Sequence, residues 1–178
     1  MTDFMRLPTF GQDAGSDVFH VVVESPRGSA VKLKYDPALQ AFSISRPLAL
    51  GITYPFDWGF VPSTAAPDGD PIDAALLWDV ATFPGIVVPC RACALIKVEQ
   101  RGADGKGRVR NDRVLAIPVS ARRQADIASA GSLAPRVRAE IEHFFMAATA
   151  LEGKDAKILG WDSAESALDL LRSSANSL

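Results

Sequence analysis

Three carboxylates crowd into the six residues Asp68-Gly69-Asp70-Pro71-Ile72-Asp73, where Gly69 and Pro71 force the backbone to curve. Like charges this close repel unless something neutralises them. Hard divalent cations do so through oxygen ligands, and Mg2+ characteristically takes one or two carboxylates together with waters and substrate phosphates. Standing alone, such a string reads more often as a solvated acidic turn. An EF-hand is a poor match, because Ile72 falls at the fifth loop position, Asp73 where glycine is required and Asp79 where a bidentate Glu is needed.

Cations precede the acids. Lys32, Lys34 and Arg46 lie in or beside predicted strands, where a cation is commonly just a solvated face, yet metal plus cations is what a phosphate ligand requires. The cluster Tyr54-Pro55-Phe56-Asp57-Trp58-Gly59-Phe60 follows; Phe56 and Phe60 read as core, while the Tyr54 phenol can sit beside the acids. Cys90 and Cys93 form a single CxxC with no second pair or nearby His to complete a zinc site. The apolar run around them reads as a strand, which puts the two thiols on opposite faces and makes them inert core.

The elements that must position these groups are short. Residues 1–17 are polar and without periodicity and read as an N-terminal arm; residues 18–178 read as one domain. Apolar runs at 18–24, 30–35, 41–46, 74–80, 86–98 and 113–119 are broken by turn residues, a β-rich pattern. Gly102-Ala103-Asp104-Gly105-Lys106-Gly107 reads as the tip of a long hairpin. After Pro135 the spacing becomes helical through Val137, Ile141, Phe144, Phe145, Ala148 and Leu151, with Gly153 as the stop. A second helix is predicted near Asp162, whose pairing with Glu165 fits a capping box. The order fits a compact, mostly antiparallel barrel with two packed helices near the C-terminus.

Net charge of −2 and a pI near 5.7 give no overall basic field, so no nucleic-acid or anionic-lipid partner is expected. The basic hairpin residues Arg101, Lys106, Arg108, Arg110 and Arg113 are the one feature that points the other way. No apolar stretch approaches the roughly 20 residues of a membrane span, and Met1 to Asp17 holds no signal-peptide core, so a cytoplasmic protein is expected.

The acidic string resembles the signature of the soluble inorganic pyrophosphatases of the first family: Asp, a small or polar residue, Asp, Pro, an apolar residue, Asp. The resemblance continues in order through Val22-Val23-Glu24-Ser25-Pro26, Lys32, Arg46, Tyr54-Pro55, Gly59-Phe60, Leu115-Ala116-Ile117-Pro118, His143-Phe144-Phe145 and Gly160-Trp161. It implies a five-stranded, OB-like antiparallel barrel with two flanking C-terminal helices, assembled as a hexamer. It also implies hydrolysis of inorganic diphosphate to two phosphates with Mg2+, or Mn2+ in its place. By the same resemblance Asp68, Asp70 and Asp73 hold metal, and Asp70 accepts a proton from the attacking water. Glu24 is a metal-linked carboxylate, Lys32, Arg46 and Arg113 bind phosphate, and Tyr54 hydrogen-bonds near the nucleophile.

Several positions depart from that pattern. Lys34 stands where the family has a Glu, Asp57 and Trp58 where it has Asn and Tyr, and Gln100 and Asn111 where it has two Asp. Arg113 replaces a Lys, and Ala148-Thr149 replaces a Tyr-Lys phosphate clamp. Glu99, Asp104 and Asp112 are the acids available to compensate, with Asp112 one residue out of register. The departures leave an alternative expectation, a catalytically impaired barrel that binds a ligand or partner.

Overall fold

The longest strand, β6 (Val87–Arg101), shows how the sequence builds two cores from one ribbon. Up to residue 92 its even positions Val88, Cys90 and Ala92 enter one apolar cluster. A bulge between Ala92 and Ala94 then shifts the pleat, and Ala94, Ile96 and Val98 enter the other cluster. Cys90 and Cys93 consequently lie in different clusters, both buried as free thiols, as the strand spacing predicts.

The computed structural model describes residues 2–12, 17–102 and 105–175. Around β6 stand β1 (Phe19–Ser25), β4 (Asp57–Phe60), β5 (Asp73–Leu76) and β8 (Arg113–Pro118). These five pair in the closed order β1-β4-β5-β8-β6 and back to β1. The ring is antiparallel except at β5–β8, where the strands run parallel, a pairing the sequence pattern does not show. β7 (Arg108–Arg110) and β9 (Lys157–Asp162) extend β6, and β2 (Val31–Asp36) pairs with β3 (Ala41–Pro47) as a separate hairpin.

β4 and β9 are missed by periodicity because each is short and interrupted by glycine. Gly59 of β4 is a steric requirement: a Cβ there would stand 1.9 Å from the Val22 carbonyl oxygen.

The first helix, α1 (Pro135–Thr149), starts at its predicted proline and packs Ile141 and Phe145 into the second cluster. It ends before Leu151, which is 81% exposed and therefore not on its buried stripe. The second, α2 (Ala164–Ala175), buries Ala167, Leu168 and Leu171 in the first cluster. The expected Asp162–Glu165 capping box does not form. Ser163 caps α2 instead, its hydroxyl accepting from the Ser166 amide at 3.1 Å, while Asp162 accepts from the Ser163 amide.

Phe4, Met5 and Leu7 of the N-terminal segment pack beside Tyr35, Phe42 and Phe60. Ser63 ties the same segment down by donating its hydroxyl to the Leu7 carbonyl at 2.9 Å.

Candidate functional site

A hairpin of alternating side chains sets the cationic wall. Lys32 and Lys34 are two apart on β2 and project from one face, and Lys32 stands directly opposite Arg46 of β3. Like charges paired across strands are destabilising unless an anion joins them. Arg46 has one, since its guanidinium pairs with Glu152 at 3.1 Å and also donates to the Ala148 carbonyl at 2.8 Å. Lys32 has no ion pair among the described residues, and burial lowers its pKa despite the pull of Asp73.

Asp73 opens β5 and Arg113 opens β8, so the parallel pairing of those strands brings the two together at 3.1 Å. Arg113 also donates to the Asn111 carbonyl and to the Asn111 side-chain oxygen. Lys32, Arg46, Arg113, Tyr54, Asp73 and Lys154 line a narrow cavity of about 50 Å³. Burial is the main cause that pushes the Tyr54 phenol up to about 12, so it stays protonated and able to donate.

Asp70 borders two wider spaces beside this cavity. One, of about 430 Å³, also touches Asp68, Gln100 and Lys154; the other, of about 280 Å³, touches Glu24, Lys34, Tyr35 and Asp73. The Lys34 ammonium donates to Asp70 at 2.7 Å. Burial opposes the Lys34 charge, but the bond to Asp70 and the surrounding acids outweigh it, and the pKa rises. Glu24 sits at a bulge in β1, accepts from the Tyr35 amide at 2.8 Å and is raised to about 7, chiefly by burial.

Glu24, Lys32, Lys34, Arg46, Tyr54, Asp68, Asp70, Asp73 and Arg113 therefore border adjoining space, but their acids do not assemble as a metal cage. Among the described residues no group of three His, Cys, Asp or Glu side chains is placed to hold a metal ion. Their oxygen chemistry suits a hard divalent cation, yet Lys34 and Arg113 already occupy two of the three loop carboxylates. The donor types thus fit a hard divalent ion, while two of the carboxylates are shared with cations of the chain itself.

The compensating acids are also engaged elsewhere. Glu99 and Asp155 pair with Arg108, and Asp112 pairs with Arg110 and accepts from the Val98 amide. Asp104 lies outside the described residues. These pairs leave the basic hairpin largely self-neutralised at Arg108, Arg110 and Arg113. The substituted positions Gln100 and Asn111 are buried, while Ala148 and Thr149 line the narrow cavity.

One cavity-lining cation and one structural role escaped sequence reasoning. Lys154 follows Gly153 in a turn where no periodicity marks it. Asp57 is fully buried and accepts from the Arg27 amide, the Trp78 indole and Thr82, tying three loops behind the aromatic cluster. Its neighbour Trp58 packs on Tyr54, Phe144 and Phe145.

Known proteins share both this fold and this chain order. The family model described as inorganic pyrophosphatase matches residues 21–178. An inorganic pyrophosphatase of Thermus thermophilus is 38% identical over 176 residues, covering 97% of this chain and 95% of the relative. One from Nostoc is 35% identical over 163 residues, covering 92% and 91%. The crystal structure of the Thermus thermophilus inorganic pyrophosphatase superposes with a TM-score of 0.89 at 35% identity, over 99% of this chain and 98% of that one. That of Coxiella burnetii gives 0.85 at 32%, over 96% and 99%. The closed five-stranded ring is thus the expected OB-like barrel, and identity at this level across nearly the full length leaves one assignment: the chain belongs to the inorganic pyrophosphatase family.

Proposed function

We propose that the chain hydrolyses inorganic diphosphate to two phosphates, with Mg2+ as cofactor and Mn2+ able to replace it. The observation that carries this reading is the convergence of Lys32, Arg46 and Arg113 with Tyr54 and Asp73 on one cavity beside the acidic loop. Fixed cations are suited to the charge on phosphoryl oxygens, and Lys32, partly buried and without an ion pair among the described residues, gains most from an arriving anion. Tyr54 donates near the attacking water, and Asp70 takes its proton. Asp68 and Asp73 complete the acid set, with Glu24 behind them. A divalent ion, when bound, supplies charge neutralisation and lowers the pKa of a water.

Phosphate released from diphosphate, with Mg2+ or Mn2+, by wild type beside Asp70→Asn tests the reading. Turnover by wild type that is lost in Asp70→Asn supports it. No release above background by either protein favours a second reading, a barrel kept for binding a ligand or partner. That second reading draws on the two internal ion pairs, Lys34–Asp70 and Arg113–Asp73, and on the neutral Gln100 and Asn111.

Homo-oligomerisation, six copies by the family resemblance, belongs to the same proposal, and light scattering checks it. Exposed Met146 and Leu151 near the end of α1 give an apolar surface for such contacts. A cytoplasmic location is also proposed; no described helix is long and apolar enough to cross a membrane.

A further inference from the structure

The acids of the loop 68–73 and the cations around them disagree with a divalent ion held by three carboxylates, and the disagreement is specific. Lys34 Nζ lies 2.7 Å from Asp70 Oδ2, at hydrogen-bond distance, on the open side of the site, where Asp70 keeps 60% of its side-chain surface exposed. Arg113 holds Asp73 from the closed side, with only 10% of its own side chain exposed. The two cations thus differ in what it takes to remove them. Arg113 is fixed by its bonds to Asn111, whereas Lys34 makes a single polar contact among the described residues and ends in a cavity of about 280 Å³. Tyr35, whose buried hydroxyl has no hydrogen-bond partner among the described residues, lines that same cavity.

We propose that Lys34 is a tethered cation that competes with a divalent metal ion for Asp70, so that metal binds only as the ammonium swings away. The inference rests on the reading that the acidic loop is where a divalent cation binds; it adds that this chain carries its own competitor there. A free ammonium on a flexible four-carbon stem is suited to such a role, because it can leave Asp70 for water by rotating its side chain, without moving the strand. Even after the ammonium has swung to about 6 Å, its one positive charge and the metal's two repel by an amount that weakens metal binding about tenfold in a water-like dielectric.

The test is Mn2+ binding to the metal-free, full-length protein, followed by the electron paramagnetic resonance signal of free Mn2+, with no substrate present. Wild type, Lys34→Gln, Asp70→Asn and the double variant are compared at one ionic strength, each first shown to be folded by circular dichroism. Lys34→Gln should bind Mn2+ about tenfold more tightly than wild type, and the gain should vanish in the Asp70→Asn background. Equal affinity of wild type and Lys34→Gln, a gain that survives Asp70→Asn, or no Mn2+ binding by either protein each overturns the inference. A second measurement needs no variant: Mn2+ should raise the rate at which Lys34 of wild type is acylated by an amine reagent, read by mass spectrometry, and an unchanged rate refutes the swing. Diphosphate turnover with unchanged Mn2+ affinity in Lys34→Gln would sink this inference alone and leave the proposed hydrolysis standing.

Discussion

Asp70 and Lys34 keep 60% and 40% of their side-chain surface in water, whereas Asp73 and Arg113, the other pair of the same loop, keep 21% and 10%. Beyond Arg113 the contrast widens, for Gln100 and Asn111 are almost fully buried and carry no charge. Burying a carboxylate without a partner costs several kcal/mol, while a buried amide needs only hydrogen bonds. The inner half of the site is therefore settled within the protein, by an amide and a held guanidinium. The outer half keeps formal charges where water and small ions can reach them. A site divided in this way keeps its solvent-reachable charges at the open edge.

The sharpest way to break this comparison is at the outer half. Asp70→Asn should lower phosphate release by about a thousandfold, close to 4 kcal/mol of barrier, while moving the midpoint of urea unfolding very little, because the side chain is exposed. A large loss of stability would mean that Asp70 is structural.

Arg113→Met addresses the inner half. It leaves Asp73 without its partner in a mostly buried place, and equilibrium denaturation should show a loss of about 3 kcal/mol. A variant as stable as wild type would place that pair among ordinary surface contacts.

Glu24 lies between the halves, and its carboxyl is raised from 4.5 to about 7, mainly by burial. A folded-state pKa above the unfolded value means that the native state favours the protonated form. Its contribution to stability is full below the unfolded pKa and is lost as pH rises through about 7. In EDTA, Glu24→Gln should therefore gain on wild type by about 2 kcal/mol between acidic and mildly alkaline pH. Parallel stability-versus-pH curves for the two proteins would contradict this.

Lys34→Met gives the smallest change. As half of an exposed pair it should alter unfolding free energy by less than about 1 kcal/mol, even though its effect on metal binding is expected to be large. A loss as great as that of Arg113→Met would erase the distinction between the halves.

Much of this arrangement was legible in the residues. Apolar runs between turn residues mark β1, β2, β3, β5, β6 and β8, and the shift to helical spacing after Pro135 marks α1, because side-chain period follows backbone geometry. β4 was hidden by its length and by Gly59, whose meaning is the closeness of a neighbouring strand rather than a turn. The cap of α2 was misplaced by one residue, since Asp162 and Ser163 both suit that position and only the exit of β9 decides between them.

The sequence by itself determined the acid string, the cations on one strand face and the uncharged side chains of Gln100 and Asn111, since each is a matter of residue type and spacing. Only the tertiary structure decided that Lys34 would take Asp70 and Arg113 would take Asp73. Those pairs depend on the docking of the β2–β3 hairpin beside the ring and on one parallel pairing, β5 with β8, between segments far apart in the chain. Coulomb attraction at about 3 Å is strong, but it says nothing until the fold has chosen which charges come that close.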